Sequence, residues 1–130
     1  MAGQKLKVMV LDDEPIVCKR LQPSLEKLGF AVTTFTKSLE ALEDIEENEY
    51  DIVITDLKMK DIDGIRFLEE VKKRYPRSEV IVITGFATLD TAKESFKKGV
   101  FDFIAKPFKL GEIQEVVMKA AAKITGEPQC

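Results

Sequence analysis

Five short apolar runs, each breaking off abruptly and each followed by an amphipathic stretch, constrain this chain more than any other feature. Leu6–Leu11 (LKVMVL) stops at Asp12-Asp13-Glu14, Asp51–Thr55 (DIVIT) at Asp56, and Glu79–Ile83 (EVIVI) at Thr84-Gly85. Ala31–Phe35 and Val100–Ala105 are weaker runs of the same kind. Such runs are β-branched and do not alternate strictly, which is the pattern of strands buried on both faces of a parallel sheet. Helical stripes fill the intervals. Val17, Leu21, Leu25 and Leu28 share one face before Gly29; Leu39, Leu42 and Ile45 make a second stripe, and Ile65, Leu68 and Val71 a third. Leu89, Ala92 and Phe96 are expected to form the buried face of a fourth helix ending at Gly99. The fifth, from Leu110, uses Ile113, Val116, Val117, Ala120, Ala121 and Ile124 and closes at Gly126. Pro23 lies inside the first helix, where its missing N–H predicts a kink or an irregular turn.

Strand and helix alternating five times make an α/β fold of the (βα)5 type. Right-handed crossovers place helices on both faces of an open parallel sheet, a three-layer sandwich. The 130 residues suit one domain, expected over residues 1–125, with 126–130 a loose tail or the start of a linker. Open parallel sheets bind ligands beyond the carboxyl ends of their strands, where the strand order reverses.

Those ends carry Asp12 and Asp13, then Asp56, Thr84 and Lys106. Taken singly each has an ordinary explanation. The acidic pair could cap a helix and Asp56 a turn, Thr84-Gly85 could be a turn, and Lys106-Pro107 a surface loop. Taken together, all five fall at one end of the same sheet. Three carboxylates converging there repel one another unless a cation is present, and a hard divalent ion such as Mg²⁺ fits an all-oxygen donor set. Lys106 supplies a point charge suited to a phosphoryl oxygen and Thr84 a hydroxyl donor.

Composition removes the competing chemistries. There is no histidine, so no Ser-His-Asp relay and no imidazole shuttle, and two cysteines (Cys18 and Cys130) cannot build a four-thiolate site. The net charge of −3 gives no reason to expect a nucleic-acid surface, and the basic run Lys72, Lys73 and Arg74, offset by Glu69 and Glu70, reads as a solvated helix face. No apolar run approaches a membrane span and the N-terminus lacks the apolar stretch of a signal peptide, so the expected location is the cytoplasm.

The stretches VMVLDDE (8–14), DIVITDLKMKDIDG (51–64), VIVITGFATLDTA (80–92) and GVFDFIAKPF (99–108) resemble, in that order and at those spacings, the receiver domain of bacterial two-component response regulators. The resemblance covers roughly residues 5–125. It implies a flavodoxin-like sheet of strand order 2-1-3-4-5. It further implies that Asp56 accepts a phosphoryl group from a histidine kinase or phosphotransfer protein. Asp13 and Asp56 would hold Mg²⁺ (Mn²⁺ as a substitute) directly, Asp12 would act through a water, and the Lys58 carbonyl would be a further ligand. Lys106 would pair with the acceptor and then with the phosphoryl group. Thr84 and Phe103 would be the switch that alters the surface of the fourth helix, fifth strand and fifth helix, with homodimerisation through that face a further expectation. The Lys106-Pro107 bond would be cis. TGFATLDTA most resembles receivers that precede sigma-54-type, nitrogen-regulator-like activators, which implies a role in transcription regulation. The chain is expected to be either a stand-alone receiver or, as the linker-like tail Thr125–Cys130 favours, one whose output domain lies outside it. Receivers usually carry proline where this chain has Lys60; lysine is expected to loosen the loop and adds charge near the site.

Three other readings compete with this one. A haloacid-dehalogenase-type phosphatase would need a second aspartate two residues after its nucleophile, where Lys58 stands, and a cap domain. A flavin or nucleotide carrier would need a phosphate-binding loop in place of DDEPIVC. A degenerate receiver, a phosphorylation-independent binding module, is opposed by the intact Asp12, Asp13, Asp56, Thr84 and Lys106 set. The chain is thus expected to be a switch that transfers a phosphoryl group to its own aspartate and slowly loses it, not a conventional enzyme.

Overall fold

The computed structural model describes residues 5–126. Every expected element forms. The strands are β1 (Lys7–Leu11), β2 (Ala31–Phe35), β3 (Ile52–Thr55), β4 (Glu79–Thr84) and β5 (Asp102–Ala105). Between and after them come α1 (Pro15–Lys27), α2 (Ser38–Asp44), α3 (Gly64–Arg74), α4 (Leu89–Lys97) and α5 (Leu110–Thr125). All pairings are parallel and the sheet order is β2-β1-β3-β4-β5, as expected. Of the loose tail expected after Thr125, only Gly126 is described; it caps α5 in the left-handed conformation, φ 75°, and Cys130 lies outside the described residues.

Alternate residues of each strand point to opposite faces, so the continuous apolar runs feed two cores. Val8, Val10, Ile52, Ile54, Ile81, Ile83 and Ile104 meet α1 and α5. Met9, Leu11, Val53, Val80 and Val82 meet Ala41 and Ile45 of the α2 region and Phe67, Leu68 and Val71 of α3. Burying each such side chain contributes about 1.5–3 kcal/mol. The strands are thereby held on both sides and their carboxyl ends are rigid platforms.

Two helix expectations need correction. α1 is continuous through Pro23, so of the kink or irregular turn expected there the irregular turn does not form. Only one backbone bond is forgone, and both Pro23 and Lys19, whose carbonyl loses its donor, lie exposed to water while Leu21, Ser24 and Leu25 stay buried. In α4 the expected apolar face is not the buried one. Leu89 is 71% exposed and Phe96 52%, and the residue that packs inward is Ser95, its hydroxyl donating to the Thr91 carbonyl at 2.8 Å. α4 lies over the edge of the sheet beside β5, so a small residue faces the backbone and the larger ones face out. Leu28 and Leu39, placed on the first two stripes, are likewise exposed, Val17 and Ala41 taking their share of the burial. No described helix is long and apolar enough to cross a membrane.

Candidate functional site

The register of β1 against β3 pairs Leu11 with Thr55, so the next residue of each strand, Asp12 and Asp56, emerges side by side at the carboxyl edge. Neither can turn away. Asp12 N donates to the Phe35 carbonyl (3.1 Å) and Asp56 N to the Leu11 carbonyl (3.2 Å), which extends the ladder by one residue on each strand. Asp12 and Asp56 are buried, 2% and 5% exposed, whereas Asp13, next along the turn into α1, is exposed. The three carboxylates bring one oxygen each to within 4.8 Å of one another. That is a hard-oxygen cluster able to coordinate a divalent cation, with the exposed Asp13 on its solvent side.

Lys106 arrives from the far side of the sheet. β4 and β5 pair Thr84 with Ala105, and Lys106 N donates to the Thr84 carbonyl at 2.8 Å, which delivers the side chain over the acids. The Lys106-Pro107 bond is cis, as the receiver resemblance implied. Lys106 Nζ lies 2.8 Å from Asp12 Oδ2 and 2.9 Å from Asp56 Oδ2. It also meets Glu14 Oε1 at 2.7 Å, a contact the sequence reading did not foresee across 92 residues. Burial alone would lower the ammonium's pKa, but bonds to Asp12, Glu14 and Asp56 outweigh it and hold the group above its ordinary value. Asp12 is pushed up by burial in spite of its bonds from Lys106 and the Glu14 N–H. Three carboxylates share one ammonium here and Asp13 adds a fourth negative charge beside them, and that unbalanced charge is what a cation would neutralise.

Other residues shape the pocket from behind. Asp56 Oδ1 accepts from Leu57 N at 2.6 Å. Gly64 opens α3 directly against the Asp56 backbone, its N–H donating to the Leu57 carbonyl at 2.7 Å, and a Cβ there would lie 2.0 Å from the Asp56 carbonyl oxygen. DIDG was legible as a motif, but this close approach was not. The buried Ser38, also unforeseen, donates to the Lys60 carbonyl (2.7 Å) and accepts from Ile62 N (3.2 Å), so the loop bearing Lys60 is anchored at its backbone while the Lys60 side chain is exposed. Asp61 beside it takes φ 77°. Lys60 and Lys37 border, with Asp13, a cavity of about 510 Å³. A second hollow, about 480 Å³ by Glu79 and Lys123, lies at the opposite end of the sheet and contains none of the strand-end groups.

Thr84 is fully buried at the end of β4, and its hydroxyl oxygen accepts from Phe86 N at 3.0 Å. Phe103, opposite Val82 on β5, is half-buried against the α3 side of the core. Lys58 is exposed, its ammonium 5.7 Å from the centre of the Phe86 ring. Of the basic run on α3, Lys72 serves its own loop, donating to the Pro76 and Ser78 carbonyls, while Lys73 and Arg74 are solvated as expected.

Residues 8–118 match the response regulator receiver domain family. Among individual proteins, the chain is 34% identical over 122 residues to the transcriptional regulatory protein ZraR of Klebsiella oxytoca; the match takes in 94% of this chain and 28% of that regulator. The fold is shared with a CheY-like receiver domain protein of Methanospirillum hungatei (TM-score 0.91, 24% identity, 96% of this chain and 100% of the other). A beryllofluoride-activated NtrC4 receiver domain dimer is similar at TM-score 0.85 and 34% identity, with 91% of this chain and 98% of the other covered.

Proposed function

The chain belongs to the response regulator receiver domain family, and from that premise we propose that Asp56 is the aspartate that accepts its phosphoryl group. The observation that carries the assignment is the placement of Asp56 between Lys106, 2.9 Å away, and the neighbouring Asp12 and Asp13. Asp12 and Asp13 are then the metal-side carboxylates, with the Lys58 carbonyl as a further ligand. Mg²⁺ suits the donor set, since it takes one or two carboxylates and keeps several waters. When bound it neutralises charge on the transferring phosphoryl oxygens.

The chain's own groups do the rest. An Asp56 carboxylate oxygen attacks phosphorus on the phosphohistidine of a sensor kinase or phosphotransfer protein. The O–P bond forms as the P–N bond breaks; the electron pair stays on the imidazole nitrogen, which takes a proton from solvent. Lys106 holds the acceptor in place and then balances the phosphoryl oxygens. Attack of water on phosphorus later returns inorganic phosphate and the free carboxylate. Thr84 turns its hydroxyl from Phe86 N to the phosphoryl group, and Phe103 fills the space released, shifting the population of two states of the α4, β5 and α5 surface. Similarity to a much longer transcriptional regulator supports a receiver that controls an output domain in a transcription factor of the sigma-54-activator type, acting in the cytoplasm.

Incubation with acetyl phosphate and Mg²⁺ tests the assignment. One hydroxylamine-labile phosphoryl group is expected by intact mass, absent with EDTA and absent from Asp56→Asn. A label that persists in Asp56→Asn, or maps to a serine or threonine, overturns it. No label on the wild-type protein would leave a degenerate binding module.

A further inference from the structure

Glu14 has no part in the mechanism above, yet it occupies one third of Lys106's bonding capacity. An ammonium has three N–H donors, and in this structure all three have a carboxylate: Asp12 at 2.8 Å, Asp56 at 2.9 Å and Glu14 at 2.7 Å. A phosphoryl group on Asp56 brings new oxygens that need at least one of them. The three carboxylates differ in what release costs. The side chains of Asp12 and Asp56 are 3% and 7% exposed, so losing the ammonium would strand a buried charge; that of Glu14 is 60% exposed, and water takes over at once. Glu14 is therefore the partner that gives way.

We propose that Glu14 is a positioning residue that keeps Lys106 in reserve, holding the donor that a phosphoryl oxygen later takes. The proposal rests on the assignment of Asp56 as acceptor. It has consequences of opposite sign at the two halves of the site. Toward a phosphoryl group Glu14 is a competitor, both for the N–H and as an added anion. Toward a divalent cation it is a helper. It shares Lys106 with Asp12 and Asp56, the carboxylates the cation needs, so that the ammonium competes less strongly for them, and it adds a negative charge at the rim.

The test compares the wild-type protein with Glu14→Gln in two titrations. Mg²⁺ alone is followed by calorimetry, and beryllofluoride at saturating Mg²⁺ by the amide resonances of Leu57 and Thr84. For a largely exposed pair the expected changes are about two- to five-fold each. Glu14→Gln should bind beryllofluoride more tightly and Mg²⁺ more weakly, and both differences should shrink at high salt. A general loosening of the loop would weaken both, so the split in sign separates positioning from structure. Beryllofluoride binding that is unchanged or weaker in Glu14→Gln overturns the role of Glu14 alone. If the wild-type protein binds no beryllofluoride, or Asp56→Asn binds it equally well, the acceptor assignment itself falls, and the role of Glu14 with it.

Discussion

Replacing Gly64 by alanine should damage the acceptor without touching its side chain. The added Cβ would lie 2.0 Å from the Asp56 carbonyl oxygen, 2.7 Å from Leu57 Cα and 2.8 Å from the Asp56 carbonyl carbon. All three atoms are backbone, so no side chain can swing aside to relieve the clash. Either α3 retreats, giving up the Gly64 N–H to Leu57 carbonyl bond of 2.7 Å, or the strand end bearing Asp56 shifts. Overpacking costs 1–3 kcal/mol where neighbours can adjust, and neighbours this rigid put the change at the upper end, about 3 kcal/mol. With an unfolding entropy of about 2.1 cal/mol/K per residue, a chain of this length has about 0.27 kcal/mol/K, so Tm should fall by about 10 °C. Thermal melts by circular dichroism measure the loss, and acetyl phosphate labelling at a temperature where the variant is folded measures the displaced acceptor. Labelling should drop at least ten-fold, because an ångström of misplacement is enough to spoil an in-line approach. A Gly64→Ala protein that melts within about 2 °C of the wild type and labels at the wild-type rate would refute the reasoning.

Two further outcomes follow from charge and burial. Among the described residues Asp13 is the member of the acidic cluster that makes no ion pair with Lys106, so Asp13→Asn should raise Tm in EDTA by about 2 °C, from about 0.5 kcal/mol, while weakening Mg²⁺ binding; a variant that melts lower in EDTA would contradict the repulsion. Tyr50 is pushed up to about 12 by burial and by its bond to Asp44 Oδ2 at 2.7 Å. The fold favours the neutral phenol, so its stabilisation is complete below the ordinary value of 10.0 and is lost as pH rises through about 12. Tyr50→Phe should cost about 1 kcal/mol at pH 8 and progressively less above pH 10. A constant difference across that range, in denaturant melts, would rule this out.

Much of the molecule could be read from residue order because its signals are local. A β-branched run that ends in a carboxylate marks both a buried strand and the place where its charge emerges. Five polar residues at four strand ends along one edge were enough to group Asp12, Asp13, Asp56, Thr84 and Lys106 before any distance was known. The same local reasoning misjudged α4. Leu89, Ala92 and Phe96 have helical spacing, but spacing cannot say whether a sheet lies beneath them, and Leu89 and Phe96 face outward at the edge strand. It also expected irregularity at Pro23, where the burial of Leu21, Ser24 and Leu25 holds the helix through the missing bond.

The sequence by itself determined the strand–helix alternation, the two-sided burial of the sheet and the identity of the strand-end acids, since each depends on neighbours within a few positions. Tertiary structure alone decided which of those groups touch. Glu14 reads as one more acid in a run of three until folding brings Lys106 to it across 92 residues, and Gly64 reads as a helix opener until its missing Cβ proves to be the space taken by the Asp56 backbone. Ser38 gains its part only when β2 and β3 are separated by β1 and α2 is laid against the loop after β3. Contacts between distant segments arise from packing and strand register, and their strength depends on ångström distances that no local pattern encodes.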